Sequence, residues 1–319
     1  MKTHKRLAAM LREAQRERRC VIGGDEAIQQ ACRRRLAAGE LVSPYRNTYI
    51  DSVYWNGLNA EERSLHLIAT LARMHPDWVF AGLSAACLYG FDHAYSLHDG
   101  TVHIACTGGI TGRDCDKLRR IYMNTITRWK RDDLGVLMTS PARTLIDCAP
   151  YPFANALAIY DSALRTGTVT IEEVRTLMIR IVCDEEAVSK LLRCANPLSE
   201  NGGESMTRGR ILERKFAEPQ LQVEFDNPDA PSMPYRVDFC WRLADGRIIV
   251  AEYDGMAKYA DASNPGRASL QAKLEYERRR EKHLRAQGVT GVAHIFYEDV
   301  MSPWRLEEKL TAVGVPKLG

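Results

Sequence analysis

Asp238, Glu252 and Asp254 lie in two runs of β-branched and aromatic residues that flank Ala244-Asp245-Gly246. Such runs around a short Gly-bearing turn predict a β-hairpin. With all three turn residues in the loop and Gly246 in the bulge position, Leu243 faces Arg247 and Asp238 falls opposite Glu252. Side chains alternate between faces, so Arg236, Asp238 and Cys240 share a face with Val250, Glu252 and Asp254. Carboxylates opposed in this way repel, and a fold that keeps them needs a cation or a proton among them. Hard oxygen donors suit Mg2+ or Mn2+. A two-residue turn, Asp245-Gly246, instead sets Asp238 opposite Tyr253 and sends the acids to different faces. The acids also have a plain reading as solvated surface groups. Against it, Ile248-Ile249-Val250-Ala251 reads as a strand covered on both faces, where charges are rarely left unpaired.

The elements that must position these acids follow from the flanking pattern. Asn196-Pro197-Leu198-Ser199-Glu200-Asn201-Gly202-Gly203 is polar and turn-rich, a natural domain boundary. Glu204 opens a helix to about Phe216, and Gln220–Phe225 alternates as a strand does. The hairpin follows, then a charged helix over Leu270 to Gln287 stopped by Gly288, a buried strand Val292–Phe296 and a helix from Trp304 to Ala312. The order is α, β, β-hairpin, α, β, α.

Gly202-Gly203-Glu204-Ser205, Arg236-Val237-Asp238-Phe239 and Ala251-Glu252-Tyr253-Asp254-Gly255, with a charged helix before a strand, resemble the very-short-patch-repair-like branch of the PD-(D/E)XK nucleases. The resemblance covers residues 197–319 and implies a restriction-endonuclease-like αβββαβ core, magnesium, and hydrolysis of a DNA phosphodiester. By position it makes Glu204 the helix-borne acid and Asp238 and Glu252 the metal ligands. Asp254 stands where most of the superfamily has lysine. Members of this branch often carry Gly-x-x-His after that Asp, and here the spacing gives Lys258. Either Lys258 swings in to orient and deprotonate water, or the site is weakened. Lys273 and Arg278, Arg279 and Arg280 would grip a nucleic-acid backbone; as pattern alone they equally form a solvated helix face.

Toward the amino terminus, Leu7, Met10, Leu11 and Ala14 recur at helical spacing over residues 4–19. Val21-Ile22-Gly23-Gly24 breaks that helix, and Asp25 or Gly24 caps a second one over 26–38 that carries Arg33, Arg34 and Arg35 and ends at Gly39. Leu41–Pro44 and Asn47–Ile50 then read as strands joined through Tyr45-Arg46. Helix, helix, hairpin is the order of the recognition half of a winged helix-turn-helix, in which basic side chains meet phosphates. The arginines also suit the negative end of a helix dipole without any ligand. The layout of residues 1–58 resembles the amino-terminal domain of AbiEi-type antitoxins, which implies DNA binding through the winged helix, Arg46 included.

Residues 59–196 predict an α/β middle domain with helix caps at Asn59, Ser140 and Thr170, a helix from Ser84 to Gly90, and strands at 102–105 and 120–123. Helices follow over 153–165 and 171–193. Gly108-Gly109-Ile110-Thr111-Gly112 fits no phosphate-loop pattern and reads as a connection. Thr139-Ser140-Pro141-Ala142-Arg143-Thr144 resembles a segment of the AbiEi-like family, but its capping chemistry accounts for every residue. His66, His93, His98 and His103 show no evident metal-ligand spacing.

A formal charge of +3 on 319 residues is too small to establish a polyanion partner by itself. Nine cysteines without a Cys-x-x-Cys pair read as reduced thiols, and the basic amino terminus leads into an apolar run too short for export, so a cytoplasmic location is expected. Two functions compete: a metal-dependent DNA endonuclease, or a DNA-binding, antitoxin-like transcriptional regulator with an inactive nuclease-fold domain. The same metal chemistry serves RNA as well. The resemblances imply phage defence or a toxin–antitoxin-like system, with a cognate toxin or defence protein as partner.

Overall fold

A computed structural model provides the structure and describes residues 5–108, 117–131, 135–254 and 267–318, with the side chains of 130, 131 and 267–274 left aside. These residues form an α+β, multidomain chain with three sheets. They divide into two compact units, 1–150 with 168–189, and 151–167 with 190–319. Residues 1–58 and most of 59–196 therefore share one unit, whereas the helix over 153–165 goes with the carboxy-terminal residues.

In the first unit, α1 (Lys5–Arg16) buries Leu7, Leu11 and Ala14, one stripe of an amphipathic helix. Val21-Ile22 does more than break this helix: it forms β1, with Val21 paired to Tyr49 and buried in the core against Leu7 and Ile28. Helix α2 (Glu26–Ala37) begins where Asp25 accepts a hydrogen bond from Ile28 N at 3.0 Å. It ends before Gly39, whose φ of +73° favours glycine. β2 (Leu41–Val42) and β3 (Thr48–Asp51) complete an antiparallel sheet of order β1-β3-β2. Next come α3 (Ser52–Gly57) and α4 (Ala60–Met74), the latter opened by a capping box between Asn59 and Glu62.

A five-stranded mixed sheet of order β6-β5-β4-β8-β7 follows, from β4 (Val79–Phe80), β5 (Val102–Cys106), β6 (Leu118–Tyr122), β7 (Trp129–Arg131) and β8 (Val136–Met138). Helix α5 (Gly82–Tyr89) starts two residues before the expected Ser84, because Ser84 Oγ instead accepts from His103 N at 2.9 Å. The loop residues 109–116 lie outside the described residues. Helix α6 (Pro141–Cys148) has the expected Ser140 cap and Arg143–Asp147 ion pair, at 2.8 Å. Helix α7 (Phe153–Arg165) belongs to the second unit. The single helix expected over 171–193 is two, α8 (Ile171–Met178) and α9 (Glu185–Cys194). Asp184 accepts from Ala187 N at 3.0 Å, a fresh N-cap that restarts the helix.

The second unit continues with α10 (Gly202–Glu213), β9 (Gln220–Phe225), β10 (Tyr235–Arg242), β11 (Ile248–Asp254), α11 (Arg267–Ala286), β12 (Val289–Phe296), α12 (Tyr297–Met301) and α13 (Pro303–Ala312). The sheet order is β12-β11-β10-β9, antiparallel from β9 to β11 with β12 parallel to β11. Helix α10 lies tightly on α7: a Cβ at Gly209 would sit 2.6 Å from Ala154 Cα. Beside that contact, Arg208 Nη2 donates to both Asp161 oxygens at 2.8 and 2.7 Å, with both residues fully buried. Among the described residues no helix is long and apolar enough to cross a membrane.

Candidate functional site

The hairpin takes the three-residue loop. Leu243 N donates to Arg247 O at 2.9 Å, and Gly246 closes the turn with φ of +87°. Phe239 pairs with Ala251 and Arg242 with Ile248, so one further step sets Asp238 across from Glu252. At that step the ladder is replaced by a side chain: Asp238 Oδ2 accepts from Tyr253 N at 2.8 Å.

Glu204 reaches the same region from the first turn of α10. Asn201 caps that turn, accepting from Glu204 N at 3.0 Å, and its Nδ2 donates to Glu204 Oε1 at 2.6 Å. Glu200 N donates to Oε2 at 2.7 Å. Gly203 permits this approach, since a Cβ there would lie 2.2 Å from the Tyr253 ring.

Gln222 joins the two acids. It stands opposite Asp238, between the pairs Val237–Val223 and Phe239–Leu221, and its φ is +52°. A left-handed residue other than glycine costs about 1–3 kcal/mol and persists only where its surroundings impose it. Here its Nε2 donates to Glu204 Oε2 at 3.0 Å and approaches Asp238 Oδ1 at 3.5 Å. Burial, and then the neighbouring Asp238 charge, push the Glu204 carboxyl up to about 7.

Glu252 is buried and meets a cation from the protein itself. Arg280 Nη1 donates to Glu252 Oε2 at 2.6 Å, and Nη2 donates to Arg236 O at 2.7 Å. Glu252 Oε1 is in ion-pair contact with the same guanidinium but accepts no hydrogen bond. Asp254 lies two residues on and accepts from His294 Nδ1 at 2.9 Å; that bond holds the imidazole above its usual range. A small cleft of about 120 Å³ is lined by Glu252, Glu277, Arg278, Arg280 and His294.

The structure thus brings Glu204, Asp238 and Glu252 to one end of the sheet, with Asp254 alongside. Lys258 lies outside the described residues, as does the side chain of Lys273 on α11. Arg278 and Arg279 are exposed, whereas Arg280 is committed to Glu252. In the first unit, Arg33, Arg34 and Arg46 are exposed and Arg35 lies 3.7 Å from Glu40. Gln222 and His294 were not foreseen. Neither has a local sequence signal, although His294 is the residue that parallel pairing sets beside Glu252.

All the donors at this site are carboxylate oxygens, which suits a hard divalent cation, and Glu252 Oε1 is buried without a hydrogen bond. The acids are adjacent rather than tightly convergent. Among the described residues, only Cys87, His93 and His98 in the first unit bring three donor atoms within 4.8 Å of one another. Comparison with protein families, characterised proteins and solved structures finds no match.

Proposed function

We propose that the second unit is a PD-(D/E)XK-type phosphodiesterase acting on DNA with Mg2+ or Mn2+, and that residues 1–58 form a winged helix that contacts the duplex. The observation that carries this reading is that Glu204, Asp238 and Glu252 lie adjacent at one end of a sheet built on an α, β, β, β, α, β succession, with the first two acids bridged by Gln222. Asp238, Glu252 and Glu204 would hold the cation, which when bound supplies charge stabilisation for the scissile phosphate and a more acidic water. Gln222 fixes the spacing of the two acids. Glu204, whose carboxyl titrates near 7, can hold or release a proton at neutral pH. Asp254 and His294 form a second proton-holding pair where most of the superfamily places lysine. Exposed Arg278 and Arg279, with Arg33, Arg34 and Arg46 on the first unit, supply phosphate contacts.

The experiment is cleavage of plasmid, linear and mismatched DNA, and of an RNA of matching sequence, with Mg2+ or Mn2+. Asp238→Ala and Glu252→Gln serve as paired controls. Divalent-dependent cleavage lost in both variants is expected; cleavage untouched by either removes the site. A gel shift with Arg33, Arg34 and Arg35 changed to Ala is expected to weaken binding and flatten its salt dependence.

One observation favours a second reading. Arg280 already neutralises Glu252, an arrangement that suits a DNA-binding regulator, antitoxin-like, whose nuclease-type fold is a scaffold. In that case the chain binds DNA without cutting it, and Arg280→Ala does not restore cleavage. A cognate toxin or defence-system protein as partner belongs to either reading.

A further inference from the structure

Outside the carboxylate site, three soft or borderline donors converge in the first unit. Cys87 sits in the last turn of α5, 3 % exposed. Gly90, with φ of +70°, reverses the chain, His93 follows in the connection, and His98 ends the 3-10 turn Tyr95–Leu97. The His93 and His98 Nε2 atoms are 2.8 Å apart, and Cys87 Sγ lies 3.6 Å from the first and 3.9 Å from the second. Tetrahedral zinc with Zn–S of about 2.3 Å and Zn–N of about 2.0–2.1 Å sets S···N near about 3.6 Å and N···N near about 3.3 Å. The Cys87–His93 distance already matches, the Cys87–His98 distance is about 0.3 Å too long, and the imidazoles need to part by about half an ångström. His93 Nδ1 donates to Phe91 O at 2.6 Å. That bond fixes the tautomer with the Nε2 lone pair facing the other two donors, the usual arrangement of a zinc-binding histidine.

We propose that Cys87, His93 and His98 bind one Zn2+ through Sγ and the two Nε2 atoms, clipping the Gly90–His98 connection onto α5. Binding releases the Cys87 thiol proton to solvent and moves the His98 proton from Nε2 to Nδ1; no electrons are transferred. His98 and Ser64 also line a cavity of about 400 Å³, which leaves room for water as a fourth ligand. The spacing between the histidines, four residues, falls within the range common in zinc sites. A self-contained polar cluster is the competing account. It leaves a buried thiol, which also contacts Ser64, beside two half-buried imidazoles with one hydrogen atom between their facing nitrogens.

The test uses the full chain stripped with chelator and titrated with Co2+. The expected result is one equivalent bound, with a thiolate-to-cobalt charge-transfer band and the intense visible bands of a tetrahedral ion, displaced by Zn2+. An all-oxygen carboxylate site gives no thiolate band, so binding there is distinguishable. Cys87→Ser is expected to lose the charge-transfer band, and His98→Ala to bind at least about tenfold more weakly. A band that survives Cys87→Ser in a chain folded by circular dichroism overturns the proposal. Should that variant not fold, the wild-type chain decides by itself: no thiolate band at one equivalent, or a thermal midpoint indifferent to Zn2+, overturns it equally.

Discussion

Helix α10 carries two buried charged residues one turn apart, and they have opposite surroundings. Arg208 meets Asp161 across the α7 contact with both oxygens engaged, and Asp161 also accepts from Asn196 N at 2.8 Å. Glu204 meets another acid, Asp238, with a single amide between them. Both positions are removed from water, so burial does not tell them apart. What differs is compensation. In the first, opposite charges pair directly. In the second, burial and then the neighbouring Asp238 charge raise the Glu204 carboxyl to about 7, and an external cation would complement two acids so placed.

The largest effect is expected where opposite charges already pair. Arg208→Ala strands a buried carboxylate and should cost about 3–5 kcal/mol in urea unfolding, whereas a joint apolar replacement of Arg208 and Asp161 recovers most of it. A loss below about 1 kcal/mol would place this pair with ordinary surface bridges and undo the contrast.

Gln222→Gly comes next. Glycine accepts the left-handed backbone, so stability should hardly change, but the bridge is gone and divalent-dependent cleavage should fall about 10–100-fold. Unchanged cleavage rates would show that Gln222 does not position the acids.

Asp238→Asn should stabilise the fold by about 1 kcal/mol at pH 8 and by nothing at pH 4, read from unfolding curves in chelator. The sign follows from Glu204, whose carboxyl is at about 7 when folded and at an ordinary 4.5 when unfolded. Its strain is absent below 4.5, grows up to about 7 and is constant above; burial is its larger cause, and removing the Asp238 charge relieves the remainder only in that upper range. A gain that is equal at both pH values would refute the electrostatic account.

The smallest effect is at His294. Its bond to Asp254 raises the imidazole above the ordinary 6.5, so its contribution is fully present below that pH and fades as pH rises through the folded value. The thermal midpoint of His294→Gln should lie below wild type at pH 6 and coincide with it at pH 9. A difference that persists at pH 9 would assign His294 a packing role instead.

Local chemistry explains how far the chain could be read in advance. A Gly in the left-handed slot of the hairpin loop set the register that puts Asp238 across from Glu252, and hydroxyl or amide caps at Asn59, Ser140 and Thr170 set helix starts. Asp184 shows the limit: one more cap inside an apolar periodic run divides what reads as a single helix. His93 and His98 show no metal-ligand pattern in the sequence; Cys87 reaches them only because the chain reverses at Gly90.

By itself, then, the sequence determined the α+β element order, the turn chemistry and which acids belong to neighbouring strands, because these depend on residues close along the chain. Only the tertiary structure decided that Gln222 leaves the ladder to bridge two acids, that Arg280 is taken up by Glu252, and that a buried thiol and two half-buried imidazoles converge. Those contacts join distant or differently folded segments, and no local preference encodes the direction in which such side chains meet.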